Sequence, residues 1–155
     1  MENLLNNKKS LMISSLNQYN VPEVSYAPFV MIDDKIYVYL SKAANHYYNL
    51  SDNKNCSVMI IEDESECKTI FARQRVSFEC EAKMLIDVED KVFDMFDDIH
   101  GASMMSVLKS MDFNVFELKI IKGRLVKGFG KAYDVEFNNG KYELIHVVEV
   151  QHNRK

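Results

Sequence analysis

The segment that begins at Arg75, RVSFECEAKML, shows the clearest pattern of hydrophobic and polar positions in the chain. Apolar residues occupy every second position from Val76 to Ala82, and serine, glutamate and lysine fill the alternate positions. Because successive side chains of a β-strand point to opposite faces, this period of two predicts a strand with one buried face and one exposed face.

Apolar runs bounded by turn residues predict the other strands of the chain. They cover Val24–Ile32, Lys35–Leu40, Cys56–Glu62, Phe113–Lys122, Arg124–Val126, Ala132–Phe137 and Tyr142–Val150. Turns are predicted at Asp33–Asp34, at Gly123 and, from a strong hairpin signal, at Asn138–Gly140. About seven strands therefore follow one another as hairpins, which favours a largely antiparallel sheet that curls into a barrel.

Apolar residues at helical spacing predict four helices. They cover residues 2–18, Lys42–Leu50, Asp87–His100 and Met104–Met111. Ser41 is a suitable N-cap for the second of them, and Gly101 follows the third at a position where helices commonly end. The expected fold is mainly β with helices (α+β), in a single domain that spans residues 1–155.

Charge and composition argue against several classes of protein. The 155 residues carry a formal net charge of −4 and no cluster of Lys and Arg, so that a nucleic-acid partner is not expected. No window reaches the ~18 apolar residues of a membrane span, and the N-terminus lacks the order of a signal peptide. The three cysteines have no CxxC spacing, which predicts reduced thiols, no zinc site and a cytoplasmic location.

Four histidines are candidate ligands. His46 lies on a predicted short helix, His100 at a predicted helix end, His146 in the last predicted strand and His152 in the polar tail. Considered by residue type and position alone, His100, His146 and His152 are better explained by structural or surface roles than by ligation. The residues themselves leave both interpretations open.

Phosphate-binding loops, serine nucleophile motifs and zinc-protease motifs are absent from the sequence. The clearest remaining candidate for anion binding is a pair of arginines. In Arg73-Gln74-Arg75, two guanidinium groups at a spacing of two would lie on one face of a strand. This arrangement suits a phosphate or a carboxylate. A solvated strand edge is the alternative interpretation.

Four stretches of the chain resemble a known family. They are VSYAPFV (24–30), SKAANHYYNL (41–50), MIIEDESECKTIFARQRVSF (59–78) and VKGFGKAYDV (126–135). In content and order they are similar to the HutZ/HugZ haem-utilisation proteins, which belong to the pyridoxamine-phosphate-oxidase-like superfamily of FMN-binding split barrels. The resemblance runs from about Val24 to the C-terminus. It implies a split β-barrel that forms a homodimer, with haem at or near the subunit interface.

The resemblance also implies the ligation of the haem iron. Members of the family bind haem through a histidine in the C-terminal tail, which corresponds here to His152 in the tail 151–155, QHNRK. The family ending resembles Gly-His-Arg-Lys, and this tail departs from it by Gln151 and by an inserted Asn153. Asp112 matches an aspartate of the other subunit that accepts a hydrogen bond from the axial histidine, which would fix the ring and raise its basicity.

Basic residues complete the site that the resemblance implies. Arg75 matches a basic residue near the haem propionates, and Arg73 and Lys127 are candidates for the same anionic contact. His46 matches the HxxN position of the family, close to the site.

The activity implied by the resemblance is that of a haem-degrading oxygenase in bacterial haem and iron utilisation. It would open the porphyrin ring to a biliverdin-type product and release iron, with haem as both cofactor and substrate. An external electron donor is required, because nothing in the sequence resembles an NAD(P)H domain. A non-catalytic haem carrier or storage protein is one alternative. An FMN-dependent oxidoreductase, with Arg73 and Arg75 on the FMN phosphate, is a second, and the binding of another small ligand is a third.

Overall fold

The computed structural model describes residues 1–147, which contain eight β-strands, four α-helices and two short 3₁₀ helices. The strands are β1 Ser10–Leu16, β2 Pro22–Ile32, β3 Lys35–Ser41, β4 Asn55–Ile61, β5 Arg75–Met84, β6 Phe113–Gly128, β7 Lys131–Asn138 and β8 Lys141–His146. The α-helices are α1 Glu2–Asn7, α2 Asn45–Asp52, α3 Asp90–His100 and α4 Ala102–Lys109, and the 3₁₀ helices are Glu64–Glu66 and Ile70–Ala72. No helix of this described part is long and apolar enough to cross a membrane.

All eight strands belong to one antiparallel sheet in the order β3-β2-β1-β4-β5-β6-β7-β8. The strand β3 also pairs with β6, in a register that runs from Lys35 opposite Lys119 to Ser41 opposite Phe113. This second pairing closes β1 to β6 into a six-stranded barrel, whereas β7 and β8 extend the sheet from β6. The predicted α+β fold with an antiparallel split barrel is therefore confirmed.

The long strand β6, with 16 residues, serves both parts of the sheet. One edge pairs with β5 from Phe116 to Val126, while the other edge pairs first with β3 and then, from Gly123, with β7. The predicted turn at Gly123 is wrong, since the strand continues through it. Glycine is needed there because a Cβ atom would lie 2.6 Å from the ring of Phe78, its partner on β5.

Two hydrophobic clusters lie on opposite sides of the barrel wall. The interior holds inward-facing residues of the strands, among them Ile13, Val38, Ile60, Phe78 and Phe116. The outer cluster joins three strands to the two central helices through Val30, Tyr37, Val92, Phe96, Met105 and Val115. Burial of these side chains removes apolar surface from water on both sides of the wall, so that α3 and α4 are held against β2, β3 and β6.

The N-terminal segment differs from the prediction. The helix expected over residues 2–18 is wrong, because α1 ends at Asn7 and β1 follows it. Leu11, Ile13 and Ser15 are buried at alternate positions, and β1 pairs with β2 on one side and with β4 on the other. The few apolar residues of this segment fit either period, and the hydrogen-bonding partners on both sides select the strand.

The other predicted elements are present with shifted ends. The helix α2 begins at Asn45 rather than Lys42, because Ser41 is still the last residue of β3. The strand β8 covers Lys141–His146. The rest of the predicted strand, from residue 148, and the predicted haem-binding tail 151–155 lie outside the described residues.

Candidate functional site

Arg75 is the first residue of β5 and is anchored by its own chain. Its Nη1 donates a hydrogen bond of 2.8 Å to the carbonyl oxygen of Arg73. Arg75 is paired with Ile61 of β4 and with Val126 of β6, so that apolar side chains flank it on both sides. This half-buried guanidinium keeps further N–H donors for a ligand, because arginine carries five of them.

Arg73 does not share the position of Arg75. It precedes β5, at the end of the Ile70–Ala72 3₁₀ helix, so that the predicted placement of both guanidinium groups on one strand face is wrong. Its Nε donates a hydrogen bond of 2.6 Å to the carbonyl oxygen of Glu62, and its Nη1 lies 3.6 Å from Oε1 of Glu64. Arg73 therefore fixes the loop that carries Arg75.

An apolar row, exposed at two of its three residues, lies beside Arg75 on the outer face of the sheet. It consists of Tyr26 of β2, Met12 of β1 and Met59 of β4, which are paired directly with one another in that order. Met59 is in turn paired with Ser77, two residues from Arg75 on β5. Opposed residues and residues two apart share one face of a sheet, so that the apolar row and Arg75 face the same side.

Two members of this apolar row are more exposed than is usual for apolar residues in the middle of a sheet, whereas Met59 is half-buried. Met12 is 50% exposed and Tyr26 is 58% exposed. Exposed apolar groups that adjoin a charged group are typical of binding surfaces. Here the combination suits a ligand with a flat apolar body and an anionic edge.

Lys127 is close to Arg75 in the sheet but faces the other way. It follows Val126, the partner of Arg75 on β6, and neighbouring residues of a strand point to opposite faces. Its ammonium nitrogen lies 5.3 Å from the centre of the Tyr133 ring, within range of a cation–π contact. Lys127 also lines a cleft of about 390 Å³ together with Gln74.

Asp112 lies at the opposite end of the barrel, just before β6. Its carbonyl oxygen accepts a 3.1 Å hydrogen bond from the backbone N–H of Lys42. Its Oδ1 accepts a 3.4 Å hydrogen bond from the hydroxyl of Ser41, which itself accepts one from the N–H of Ala43. The backbone of Asp112 is therefore fixed, while the carboxylate is exposed and available to another partner.

His46 lies near this same end, in the first turn of α2. The helix is held by the hydroxyl of Tyr47, which donates a 2.7 Å hydrogen bond to Asn114, and by the amide of Asn49, which donates one to Ser15. Burial lowers the pKa of His46, so that the neutral imidazole is favoured in the folded protein.

The two other histidines of the described residues have structural contacts. Nε2 of His100 lies 2.9 Å from the carbonyl oxygen of Phe29 and ties α3 to β2. Nε2 of His146 lies 2.9 Å from the carbonyl oxygen of Gly130 and ties β8 to the β6–β7 turn. His152 lies outside the described residues. Within residues 1–147, no group of three His, Cys, Asp or Glu side chains is arranged to hold a metal ion.

The candidate residues thus form two separate groups. Arg75 is paired with Val126 near the end of β6, whereas Asp112 precedes the first residue of that strand. At about 3.3 Å per residue, roughly 45 Å of strand separates them. Measured along the strand, this length places Arg75 and Asp112 at opposite ends of the barrel wall.

Comparison with known proteins defines the class to which this fold and site belong. The sequence matches the pyridoxamine 5'-phosphate oxidase family over residues 1–127, and the chain belongs to that family. It is 34% identical over 145 residues to the haem oxygenase HutZ of Vibrio cholerae serotype O1, a match that covers 92% of this chain and 82% of HutZ. The expected resemblance to the HutZ/HugZ proteins is confirmed.

Solved structures agree with this assignment. ChuZ of Campylobacter jejuni matches with a TM-score of 0.82 and 32% identity, and the chain spans 94% of its own length but only 60% of that of ChuZ. A crystal structure of HutZ, described as a haem storage protein of Vibrio cholerae, matches with a TM-score of 0.71 and 31% identity over 77% of this chain and 86% of HutZ. A haem-binding protein of Mycobacterium smegmatis has a TM-score of 0.74 at 20% identity, over 84% of this chain and 54% of that protein, and shows the fold alone.

The apolar row was missed by the sequence interpretation. Its three members come from three strands, and they become neighbours only through the register of β2, β1 and β4. The segment that contains Met12 was moreover predicted to be helical. An exposed methionine at an alternate strand position would have been a signal only after that strand had been recognised.

Proposed function

We propose that this protein binds haem and degrades it oxidatively, opening the porphyrin ring to a biliverdin-type product with release of iron. The observation that carries the proposal is the position of Arg75 beside the apolar row. Haem has an apolar face and two anionic propionates, and guanidinium groups bind carboxylates with two parallel hydrogen bonds. The similarity to a protein described as a haem oxygenase supports the reaction.

The haem site is shared between two copies of the chain in a homodimer. Arg75 of one subunit binds a propionate, and Asp112 of the other subunit reaches the iron-ligating histidine. The separation of the two residues along β6 supports this arrangement, because groups from two chains can approach one haem without spanning the length of the strand.

His152 is the axial ligand of the iron in this proposal. The Asp112 carboxylate accepts a hydrogen bond from the imidazole N–H, which selects one tautomer and raises the basicity of the ligand. Ser41 orients that carboxylate through its hydroxyl, and the Lys42 N–H holds the backbone behind it. Bound haem supplies the iron and oxygen chemistry, while the protein supplies orientation, ligand tuning and access.

Three further residues have supporting roles. Arg73 positions Arg75 by holding the loop that ends in it. Lys127, which faces the other side of the sheet, is a candidate for a propionate that extends past the end of β5 towards the cleft that Lys127 lines. His46 lies near Asp112 as a neutral side chain, because burial lowers its pKa.

Electrons come from an external donor, and the protein serves iron acquisition in the cytoplasm. Three free cysteines, Cys56, Cys67 and Cys80, support this location. Burial raises the pKa of the Cys56 thiol to about 12, and it also raises the pKa of the Cys80 thiol, so that both thiols stay protonated and unreactive.

Two other functions use the same surface. The description of HutZ as a storage protein favours haem binding without turnover as the second candidate. FMN is the third, because its phosphate and flat ring also suit Arg75 and the apolar row, and because the matched family is that of a pyridoxamine 5'-phosphate oxidase.

A haemin titration followed by addition of ascorbate tests the three candidates. For the wild-type protein, we expect a Soret band that forms and then decays to a bile-pigment spectrum. His152→Ala should weaken the Soret band or stop its decay while the dimer persists in light scattering. A Soret band that never decays would favour a carrier, and a yellow purified protein that forms no Soret band would favour a flavoprotein.

A further inference from the structure

A second cleft lies where three connections of the chain meet, away from the candidate haem surface. Its walls are the β2–β3 turn at Asp33 and Asp34, the β7–β8 turn at Asn139 and Gly140, and the loop between β5 and α3. The cavity volume is about 370 Å³, which is in the size range of small-ligand sites. The two turns are in close contact, since a Cβ atom on Gly140 would lie 3.2 Å from Cβ of Asp33.

The cleft carries an excess of negative charge. Five carboxylates line it against two ammonium groups, which leaves three negative charges uncompensated. Lys35 pairs with Glu117 at 3.7 Å, and Lys91 pairs with Glu89 at 3.1 Å. Three carboxylates have no ion-pair partner within residues 1–147, namely those of Asp33, Asp34 and Asp87.

Tyr37 forms part of the wall of this cleft and provides an observation independent of the charges. Its side chain is 95% buried, since the residue is 5% exposed. Its hydroxyl forms no hydrogen bond within the described part of the chain. All fully buried side-chain N and O atoms in that part do have hydrogen-bond partners, so that the Tyr37 hydroxyl is not fully buried and is open to the cleft that Tyr37 lines. Burial raises the pKa of this phenol, and the negative charges of Glu117, Glu89, Asp34 and Asp33 raise it further, so that the hydroxyl stays protonated.

We propose that this cleft binds a small organic amine, through ammonium or guanidinium groups that donate hydrogen bonds to the Tyr37 hydroxyl oxygen and to the carboxylates of Asp33, Asp34 and Asp87. The three carboxylates without an ion pair can only accept hydrogen bonds and carry negative charge, and the Tyr37 hydroxyl oxygen can accept one as well, so that the complementary ligand is a donor with positive charge. A metal ion fits less well, because no three carboxylates within residues 1–147 converge to hold one. A di- or polyamine can instead span acceptors that lie on separate turns.

This inference does not depend on haem binding. The cleft lies at the start of β3, near Lys35, whereas Asp112 lies beside Ser41 at the end of that strand. At about 3.3 Å per residue the two points are roughly 20 Å apart. Loss of amine binding and loss of haem binding are therefore expected from different substitutions.

Isothermal titration of the full-length protein with putrescine, spermidine and agmatine at pH 7 tests the proposal. The double variant Asp34→Asn, Asp87→Asn should lower the affinity at least about tenfold, because it removes two charged acceptors. Tyr37→Phe should lower it about fivefold, since it removes only a neutral acceptor and keeps the ring.

A charge-matched control separates a built site from general attraction to an acidic protein. Asp94 and Asp97 lie on α3 outside the cleft, so that the double variant Asp94→Asn, Asp97→Asn removes the same charge elsewhere. It should bind amines as the wild type does. Equal losses in both double variants, equal binding of Mg²⁺ and spermidine, or no binding of any amine would each overturn the proposal.

Discussion

The two ends of β6 present two different kinds of functional group. At the Arg75 end, a guanidinium is anchored to backbone and flanked by apolar residues, and it adjoins an exposed apolar row. At the Asp112 end, a carboxylate is exposed and has one side-chain partner, the Ser41 hydroxyl at 3.4 Å. The first arrangement suits binding of a large ligand. The second suits a hydrogen bond that tunes the basicity of a side chain already held in position by other contacts.

This difference teaches that affinity and reactivity have separate origins in the proposed site. In the proposal, contacts at the Arg75 end would remove apolar surface from water and pair a propionate, so that they would determine how tightly haem binds. The proposed Asp112 contact would act on the ligand of the iron, so that it would determine how the bound haem reacts. Substitutions at the two ends of β6 should therefore differ in which of the two properties they change.

The largest effect should come from Arg75→Ala. Loss of a charged hydrogen bond to a propionate should lower haem affinity about ten- to hundredfold in a haemin titration.

Asp112→Asn should change the ferric absorption spectrum and the pH dependence of breakdown while affinity stays within about threefold. Lys54→Ala removes an exposed charge at the far end of β4 and should change neither property. Equal affinity losses in Arg75→Ala and Asp112→Asn would contradict the separation.

The apolar row should contribute the next largest effect. Met12→Glu places a carboxylate where the porphyrin face is expected, and it should lower haem affinity about tenfold through lost apolar contact and repulsion of the propionates. Val21→Glu is a matched control, because Val21 in the β1–β2 turn is 52% exposed and Met12 is 50% exposed. Similar affinities in the two variants would show that haem does not lie on the apolar row.

Mixed dimers test whether the two ends meet across subunits. Arg75→Ala and Asp112→Asn chains, unfolded together and refolded, should form dimers of which half contain one chain of each kind. Each mixed dimer has one site with both groups intact, so that about a quarter of the wild-type rate of haem breakdown should return. A rate no higher than that of the separate variants would show that each chain uses its own Arg75 and Asp112.

The smallest effect should be a pH dependence at the Asp112 end. Burial lowers the pKa of His46 in the folded protein, so that the unfolded chain takes up this proton at a higher pH. The free energy of unfolding should therefore fall as the pH drops below the ordinary histidine value of about 6.5. In urea titrations between pH 7 and pH 5, His46→Gln should lose less stability than the wild type. An identical loss would show that His46 does not contribute.

The strands that the sequence predicted correctly have a strong local signal. The alternation of apolar and polar residues after Arg75 predicted β5 correctly, because one face of that strand is buried along most of its length. The hairpin signal at Asn138–Gly140 also gave the turn between β7 and β8, where Asn139 and Gly140 adopt positive φ angles of 53° and 78°. In both cases the physical cause lies within a few residues of the pattern that reports it.

The errors arise where distant residues decide the conformation. Residues 10–16 are a strand because β2 and β4 offer hydrogen-bonding partners on both sides. Gly123 continues a strand because the Phe78 ring of another strand occupies the space that a side chain would need. A glycine that predicts a turn locally can therefore serve close packing in the folded chain.

The sequence by itself determined the α+β class, the antiparallel pairing of successive strands, and the candidate residues Arg75, Asp112 and His46, because periodicity, turn chemistry and family motifs are properties of short segments. Only the tertiary structure decided that β3 closes the barrel on β6, that Arg73 supports Arg75 instead of sharing its face, and that Arg75 and Asp112 lie beside opposite ends of β6. These facts depend on register between segments far apart in the chain, and a one-residue shift in register would turn every side chain to the other face.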